Sequence, residues 1–270
     1  MKRIFILFFI ICSISFAQYN RIIIMAPSMF EVACLLNVED RVIGLGQIGN
    51  APAYPAEKSK NIKKMGNAFR PSIEKLIAEN PDLVIVNEGV NFPIEELQKR
   101  DINVISFSTK RIEDISNNIK RFATLVGKEK EAEKIINDQK EKLNSFPNFK
   151  DKNIKGIFIY STTPLMAFNN ESLPGDIMSV LGVKNIGASL KGTKPIINPE
   201  YIIQENPDFV AGIMTVDSVE QLKKSIPMLE YTNAGKNNNI FIFNAELIYR
   251  NSPRMLEGIE ELSKKLESMK

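Results

Sequence analysis

A chain of 270 residues with 44% hydrophobic content is long enough to bury one full core, or two. The net charge is +3 and no run of five or more basic residues occurs, which excludes a nucleic-acid partner of the usual electrostatic kind. The chain has no His and no Trp, which removes most general-base mechanisms, the commonest zinc ligand and any Ser–His or Cys–His nucleophile pair.

The first seventeen residues read as a leader. Lys2 and Arg3 precede an apolar run over residues 4–11, and Ser15-Phe16-Ala17 is a small-x-small cleavage site before Gln18. A cleavable secretory signal over residues 1–17, cut after Ala17, is expected; its apolar stretch is too short to span a bilayer. Cys12 follows Ile10 and Ile11, where a lipidated cysteine needs a small residue, so no lipid anchor is expected. Cleavage leaves Cys34 without a disulfide partner. Its neighbours Val32, Ala33, Leu35 and Leu36 mark it as a small core residue.

The mature chain then alternates. Residues 21–25 form a strand, and Pro27 turns it into a helix over 28–36, with Ser28 as N-cap and Glu31 completing a capping box. A strand over 41–46 leads into a loop over 47–58 holding Pro52, Tyr54 and Pro55. Residues 66–70 form another loop, with Phe69. A helix over 72–79 passes through Asn80-Pro81-Asp82 into a buried strand over 83–86. Helix 93–100, strand 103–107 and helix 112–126 follow, and Gly127 closes the last. Residues 128–146 are a separate helix, in which Ala132, Ile135, Ile136, Gln139, Leu143 and Phe146 make one stripe among Lys, Glu, Asp and Asn. Pro147 stops it, and its nineteen residues would span about 28 Å.

The second half repeats this grammar: strand 154–160, loop 161–164, helices 175–181 and 201–205, strand 209–213, helix 219–225, strand 240–243 and a closing helix over 252–266. Strands alternating with helices predict an α/β lobe with a mostly parallel sheet, twice.

An internal echo supports the doubling. Glu74, Ile77, Glu79, Asn80, Pro81, Asp82 and Val84 recur in one register as Glu200, Ile203, Glu205, Asn206, Pro207, Asp208 and Val210. A weaker echo joins Leu36-Asn-Val38 to Leu181-Gly-Val183. Asn-Pro-Asp ends many helices, but seven matches in register exceed one capping motif. The expected architecture is two similar lobes, residues 18–127 and 147–270, joined by one long backbone helix over 128–146. A ligand cleft is expected between them.

Several motifs carry possible chemistry. Gly44-Leu-Gly46-Gln-Ile-Gly49 fits the dinucleotide fingerprint and follows a strand, but Asn50-Ala-Pro52-Ala-Tyr-Pro55 cannot open the helix that a pyrophosphate needs. Tyr54 lies on a loop at the carboxyl end of a strand, the ligand side of an α/β sheet. It is either an ordinary loop tyrosine or a phenolate ligand to ferric iron. Tyr249-Arg250-Asn-Ser-Pro-Arg254 sits between a strand and a helix. Arg250 and Arg254 suit carboxylate or phosphate recognition, while Arg254 on a first helical turn also calls for a specific acidic partner. Glu74 and Glu200 occupy equivalent first turns. They satisfy the helix dipole or form a symmetric pair of acidic knobs for a two-fold symmetric partner.

Arg21-Ile-Ile-Ile-Met-Ala-Pro27-Ser28 with Leu36-Asn-Val-Glu-Asp-Arg41-Val-Ile-Gly44, then Tyr54-Pro55, Met65-Gly66, Glu74 and Pro81-Asp82, resemble the first lobe of a known class. Gly127-Lys-Glu-Lys-Glu-Ala-Glu133 is similar to the start of its linking helix, and Leu181-Gly-Val-Lys-Asn185, Pro207-Asp208 and Ser252-Pro-Arg254 to its second lobe. The class is the helical-backbone (class III) periplasmic substrate-binding proteins of ABC importers for iron–siderophore complexes, haem and cobalamin. The resemblance covers nearly the whole mature chain and implies two rigid lobes that close little. It implies a periplasmic monomer that meets the membrane only through an ABC permease dimer with its ATPase, docked through Glu74 and Glu200. It implies a bound metal chelate and no catalysis.

Among ligands, haem or a ferric siderophore is expected ahead of cobalamin. Cobalamin binders of the class often line the cleft with tryptophan, absent here, and siderophore binders use arginines and tyrosines. The expected cleft residues are Tyr54, Phe69, Tyr160, Phe168, Tyr249, Arg250 and Arg254, with Tyr54 on the metal if the ligand is haem or a ferric complex. An exported enzyme or sensor receptor on the same frame is the alternative class, but no acid–base pair or activated nucleophile assembles from these residues.

Overall fold

The computed structural model describes residues 18–49, 52–192 and 194–269; the leader over 1–17 lies outside the described residues. The first sheet contains β1 (Ile22–Ile24), β2 (Val42–Gln47), β3 (Lys63–Asn67), β4 (Leu83–Asn87) and β5 (Asn103–Phe107). They run parallel in the order β3-β2-β1-β4-β5. β1 and the first four residues of β4 are buried throughout, as central parallel strands covered on both faces must be.

The second sheet contains β6 (Lys155–Thr162), β7 (Leu165–Ala167), β8 (Lys184–Asn185), β9 (Phe209–Gly212) and β10 (Ile240–Ile242). β10, β9 and β6 are parallel neighbours. On the far side of β6, β8 pairs parallel with its start and β7 antiparallel with its end.

Three strands escape the sequence pattern: β3, β7 and the two-residue β8. β3 is an edge strand whose residues Lys63-Lys-Met-Gly-Asn67 bury only Met65, so no apolar alternation announces it. The loop expected over 161–164 proves to be a hairpin turn from β6 into β7.

The internal echo is structural. Ser72 caps the helix Ile73–Ala78, and Asn198 caps Pro199–Glu205. Asn80 and Asn206 follow with left-handed φ of 48° and 47°, before β4 and β9. The weaker echo holds as well. The helices Ser28–Leu35 and Leu173–Val180 end in the same turn, with φ of 54° at Asn37 and 73° at Gly182. Val38 N–H donates to Ala33 O at 2.9 Å and Val183 N–H to Met178 O at 2.8 Å, the six-to-one bond of a Schellman cap.

The expected capping box at Ser28 and Glu31 does not form. Pro27 precedes the helix and no side chain caps it. Glu31 is buried and accepts from the backbone N–H of Arg254 at 3.0 Å, so its carboxylate joins the first helix to the far end of the chain.

The linking helix is Glu129–Asn144, about 24 Å long. It packs on the helices Ile112–Val126 and Met255–Ser268. Of the expected stripe only Ala132 is fully buried, and the other five residues are half-buried. A cavity of about 380 Å³ beneath it, lined by Ile112, Ile136, Leu143 and Leu256, accounts for that incomplete burial.

Each sheet has its own outer core, but one apolar cluster runs through both halves. It joins β1, β4, β6 and β9 through the helices Ser28–Leu35, Ile112–Val126, Leu173–Val180 and Met255–Ser268. Buried polar groups stitch the same seam. Asp176 pairs with Arg111 at 2.7 Å and accepts from Ile112 N–H at 2.8 Å. Asn251 Nδ2 donates to Arg111 O at 3.0 Å, and Asn118 Nδ2 to Asn251 Oδ1 at 3.4 Å. A buried network of satisfied partners of this kind resists relative movement of the two halves.

Candidate functional site

A cleft of about 560 Å³ opens where the two sheets point their strand ends at each other. Its walls come from the loops after β1 to β5, from Tyr160 near the end of β6, and from the loops after β9 and β10. Carboxyl ends of parallel strands are where α/β sheets hold ligands, because the connections there are free to vary while the sheet stays rigid.

The floor is aromatic. Tyr160 and Tyr249 stand 6.4 Å apart between ring centroids, and Phe168 lies under both, at 5.6 Å and 5.4 Å. Phe69, 49% exposed, and Met214, 37% exposed, offer apolar surface from opposite lobes. Two large apolar side chains left open toward one cavity are unusual unless something covers them.

The polar groups are few and mostly paired. Arg250 meets Glu246 at 3.0 Å, and Glu88 meets Lys110 at 3.6 Å. Lys194 places its Nζ 4.4 Å from the Tyr160 ring centroid and 5.2 Å from that of Tyr249. Burial pulls its pKa down, but the Tyr249 and Tyr160 phenols more than offset this and hold the ammonium above its ordinary value. Asn87 lines the cleft wall, and its Oδ1 is buried there without a hydrogen-bond partner among the described residues.

The structure therefore brings Phe69, Tyr160, Tyr249 and Arg250 to one cleft. Phe168 is a correction: at 1% exposure it supports the two tyrosines from below and cannot touch a ligand. Tyr54 and Arg254 are a second correction. They line an adjoining groove with Glu31, Cys34 and Lys58, where the Arg254 guanidinium lies 3.9 Å from the Tyr54 ring centroid. Arg254 also meets Glu257 at 3.4 Å and Glu246 at 4.0 Å, the acidic partners its helix position called for.

Glu74 and Glu200 are exposed, each in the first turn of its helix. The glycines of the apparent dinucleotide fingerprint serve sheet packing. A Cβ on Gly44 would stand 2.6 Å from Met65 Cγ, and one on Gly46 would stand 2.9 Å from Met25 Cα. No helix of the described residues is long and apolar enough to cross a membrane, and those residues contain no metal-holding group of three His, Cys, Asp or Glu.

Sequence reasoning missed Lys194, Asn87 and Met214. Lys194 lies in Lys-Gly-Thr-Lys-Pro, a loop without periodicity, and only the fold sets it above the two rings. Asn87 ends β4 and Met214 follows β9, so the strand-end rule could have found both.

Two α/β lobes that close an aromatic cleft with their strand ends define a solute-binding protein. Residues 22–247 match the family model described as periplasmic binding protein, and the chain belongs to that family. It is 26% identical over 273 residues to the vitamin B12-binding protein of Vibrio parahaemolyticus, covering 98% of this chain and 95% of that protein. It is also 26% identical to the uncharacterized ABC transporter substrate-binding lipoprotein YvrC of Bacillus subtilis, over 92% of this chain and 80% of that one. Its fold matches the periplasmic haem-binding protein RhuT of Roseiflexus sp. RS-1 in apo form with a TM-score of 0.79, at 19% identity, over 91% of this chain and 97% of that one. The chain is thus a binding protein of the ABC-importer type.

Proposed function

We propose that this protein captures an iron complex, haem or a ferric siderophore, in the cleft between its lobes and hands it to an ABC permease dimer driven by its ATPase. The observation that carries this reading is the cleft itself: an aromatic floor of Tyr160 and Tyr249, apolar flanks from Phe69 and Met214, and cations at its wall. Such a site fits a flat or compact chelate with an apolar body and a polar edge. The role is binding without catalysis. The lobes are residues 18–127 and 147–270 with 128–146 as the link, Glu74 and Glu200 dock on the permease, and the protein acts as a monomer. Cleavage after Ala17 releases it into the periplasm, which N-terminal sequencing of the exported protein checks.

Because the chain has no tryptophan, tyrosine fluorescence reports directly on a cleft that contains Tyr160 and Tyr249. Titration of the mature protein with hemin, a ferric catecholate and cyanocobalamin should show saturable quenching by one of the iron complexes, tighter than by the corrinoid. The similarity to the Vibrio vitamin B12-binding protein favours a second reading, cobalamin as the ligand. Tighter binding of cyanocobalamin would select it.

A further inference from the structure

Lys194 is the one cation lining the cleft, among the described residues, that has no carboxylate within 4.0 Å. Arg250 is neutralised by Glu246, and Glu88 by Lys110. The Lys194 ammonium instead sits over the faces of Tyr160 and Tyr249, half-buried, with its stem in the loop that enters the second lobe's cleft wall. Ring faces attract a cation on one side only, and contribute about 0.5–2 kcal/mol. A lysine that merely decorated a surface would extend into water, where its hydration is far stronger. Here it is folded inward onto the aromatic floor. Positive charge is thereby held, preorganised, over the aromatic floor, where a ligand entering the cleft meets it.

We propose that Lys194 is the anion-recognition residue of the cleft and that the natural ligand presents a carboxylate or comparable anionic oxygen to its Nζ. This rests on the metal-chelate reading above and narrows it: the ligand is an anionic chelate, not one that is neutral at its edge. The chemistry is shared by a tetrapyrrole propionate and by the acidic groups of a ferric siderophore. A charge-assisted contact in a half-buried, rigidly floored site is stronger than a neutral hydrogen bond, and it weakens with salt only in part.

The test compares the wild type with Lys194→Gln and Lys194→Arg against four probes: hemin, iron protoporphyrin dimethyl ester, a ferric carboxylate siderophore and cyanocobalamin. Lys194→Gln should weaken the anionic ligand that the wild type binds by about tenfold or more, and Lys194→Arg should recover most of that loss. If the ligand is hemin, the dimethyl ester should bind wild type about as weakly as hemin binds Lys194→Gln. If it is the siderophore, hemin and its ester should both bind poorly. An unchanged melting temperature for Lys194→Gln confirms that the fold is intact. Lys194→Gln binding its anionic ligand within about twofold of wild type overturns the inference while leaving the iron-complex reading standing. A wild type that binds only cyanocobalamin, or none of the probes, overturns both.

Discussion

Asp82 and Asp208 make the same contact in the two halves of this protein. The Asp82 carboxylate accepts from Arg21 N–H at 3.0 Å, and the Asp208 carboxylate accepts from Lys155 N–H at 2.8 Å, each at the entry to a sheet's central strand. Their own N–H groups return the bond, to Arg21 O at 2.9 Å and Lys155 O at 2.8 Å. Even the basic side chains correspond: Arg21 donates to Glu79 O at 2.7 Å and Lys155 Nζ to Glu205 O at 2.8 Å. A shared carboxylate clamp of this detail is the mark of two modules built to one plan.

Removing either clamp should cost similar stability. Asp82→Ala and Asp208→Ala should each lower unfolding free energy by about 1–3 kcal/mol, the range for a charge-assisted bond to backbone. Urea melts measure this. A loss at one site and none at the other would break the equivalence.

Glu31 should make stability pH-dependent. Burial raises its carboxyl from 4.5 to about 7, against the lowering effect of the hydrogen bonds from Ser252 and Arg254. Between those two values the folded state holds the proton more tightly than the unfolded chain does, so stability falls as pH rises through the window. Glu31→Gln removes the ionisation and keeps an acceptor for Arg254 N–H. Its advantage over wild type should grow between pH 5 and pH 8, reaching on the order of 3 kcal/mol. Parallel melting curves at the two pH values would refute this.

The three rings at the cleft should separate by function. Phe168→Ala empties a buried site and should cost about 3–5 kcal/mol of stability. Tyr160→Ala and Tyr249→Ala, both half-buried, should cost less stability and more affinity, about tenfold in Kd for each lost ring contact. Calorimetry paired with ligand titration reads both. Full affinity in Tyr160→Ala would place the ligand elsewhere.

The proposed docking role of Glu74 and Glu200 can be tested separately from ligand binding. Glu74 is held below the usual carboxylate range by its own backbone N–H and by Ser72, so it stays charged. The double variant Glu74→Ala, Glu200→Ala should reduce permease-dependent uptake about tenfold or more while ligand affinity is unchanged. Weakened ligand binding in that variant would contradict the docking role.

Much of the fold was legible in the residues. The helix Ile112–Val126 ends where Gly127 predicts, and in the linking helix the residues of the apolar stripe are the ones withdrawn from full exposure. β3 was hidden because an edge strand needs little apolar surface. Glu31 looked like half of a capping box because its real partner, Arg254, lies more than two hundred residues away.

By itself the sequence determined the doubled α/β plan, since helical and strand periodicity and the Asn-Pro-Asp turns are local properties that recur in register. Tertiary structure alone decided which of the candidate side chains line the cleft. It moved Phe168 beneath the floor, paired Tyr54 with Arg254 outside the cleft, and set Lys194 over Tyr160 and Tyr249. Those outcomes depend on how loops from distant parts of the chain converge, and no local pattern of residues encodes that convergence.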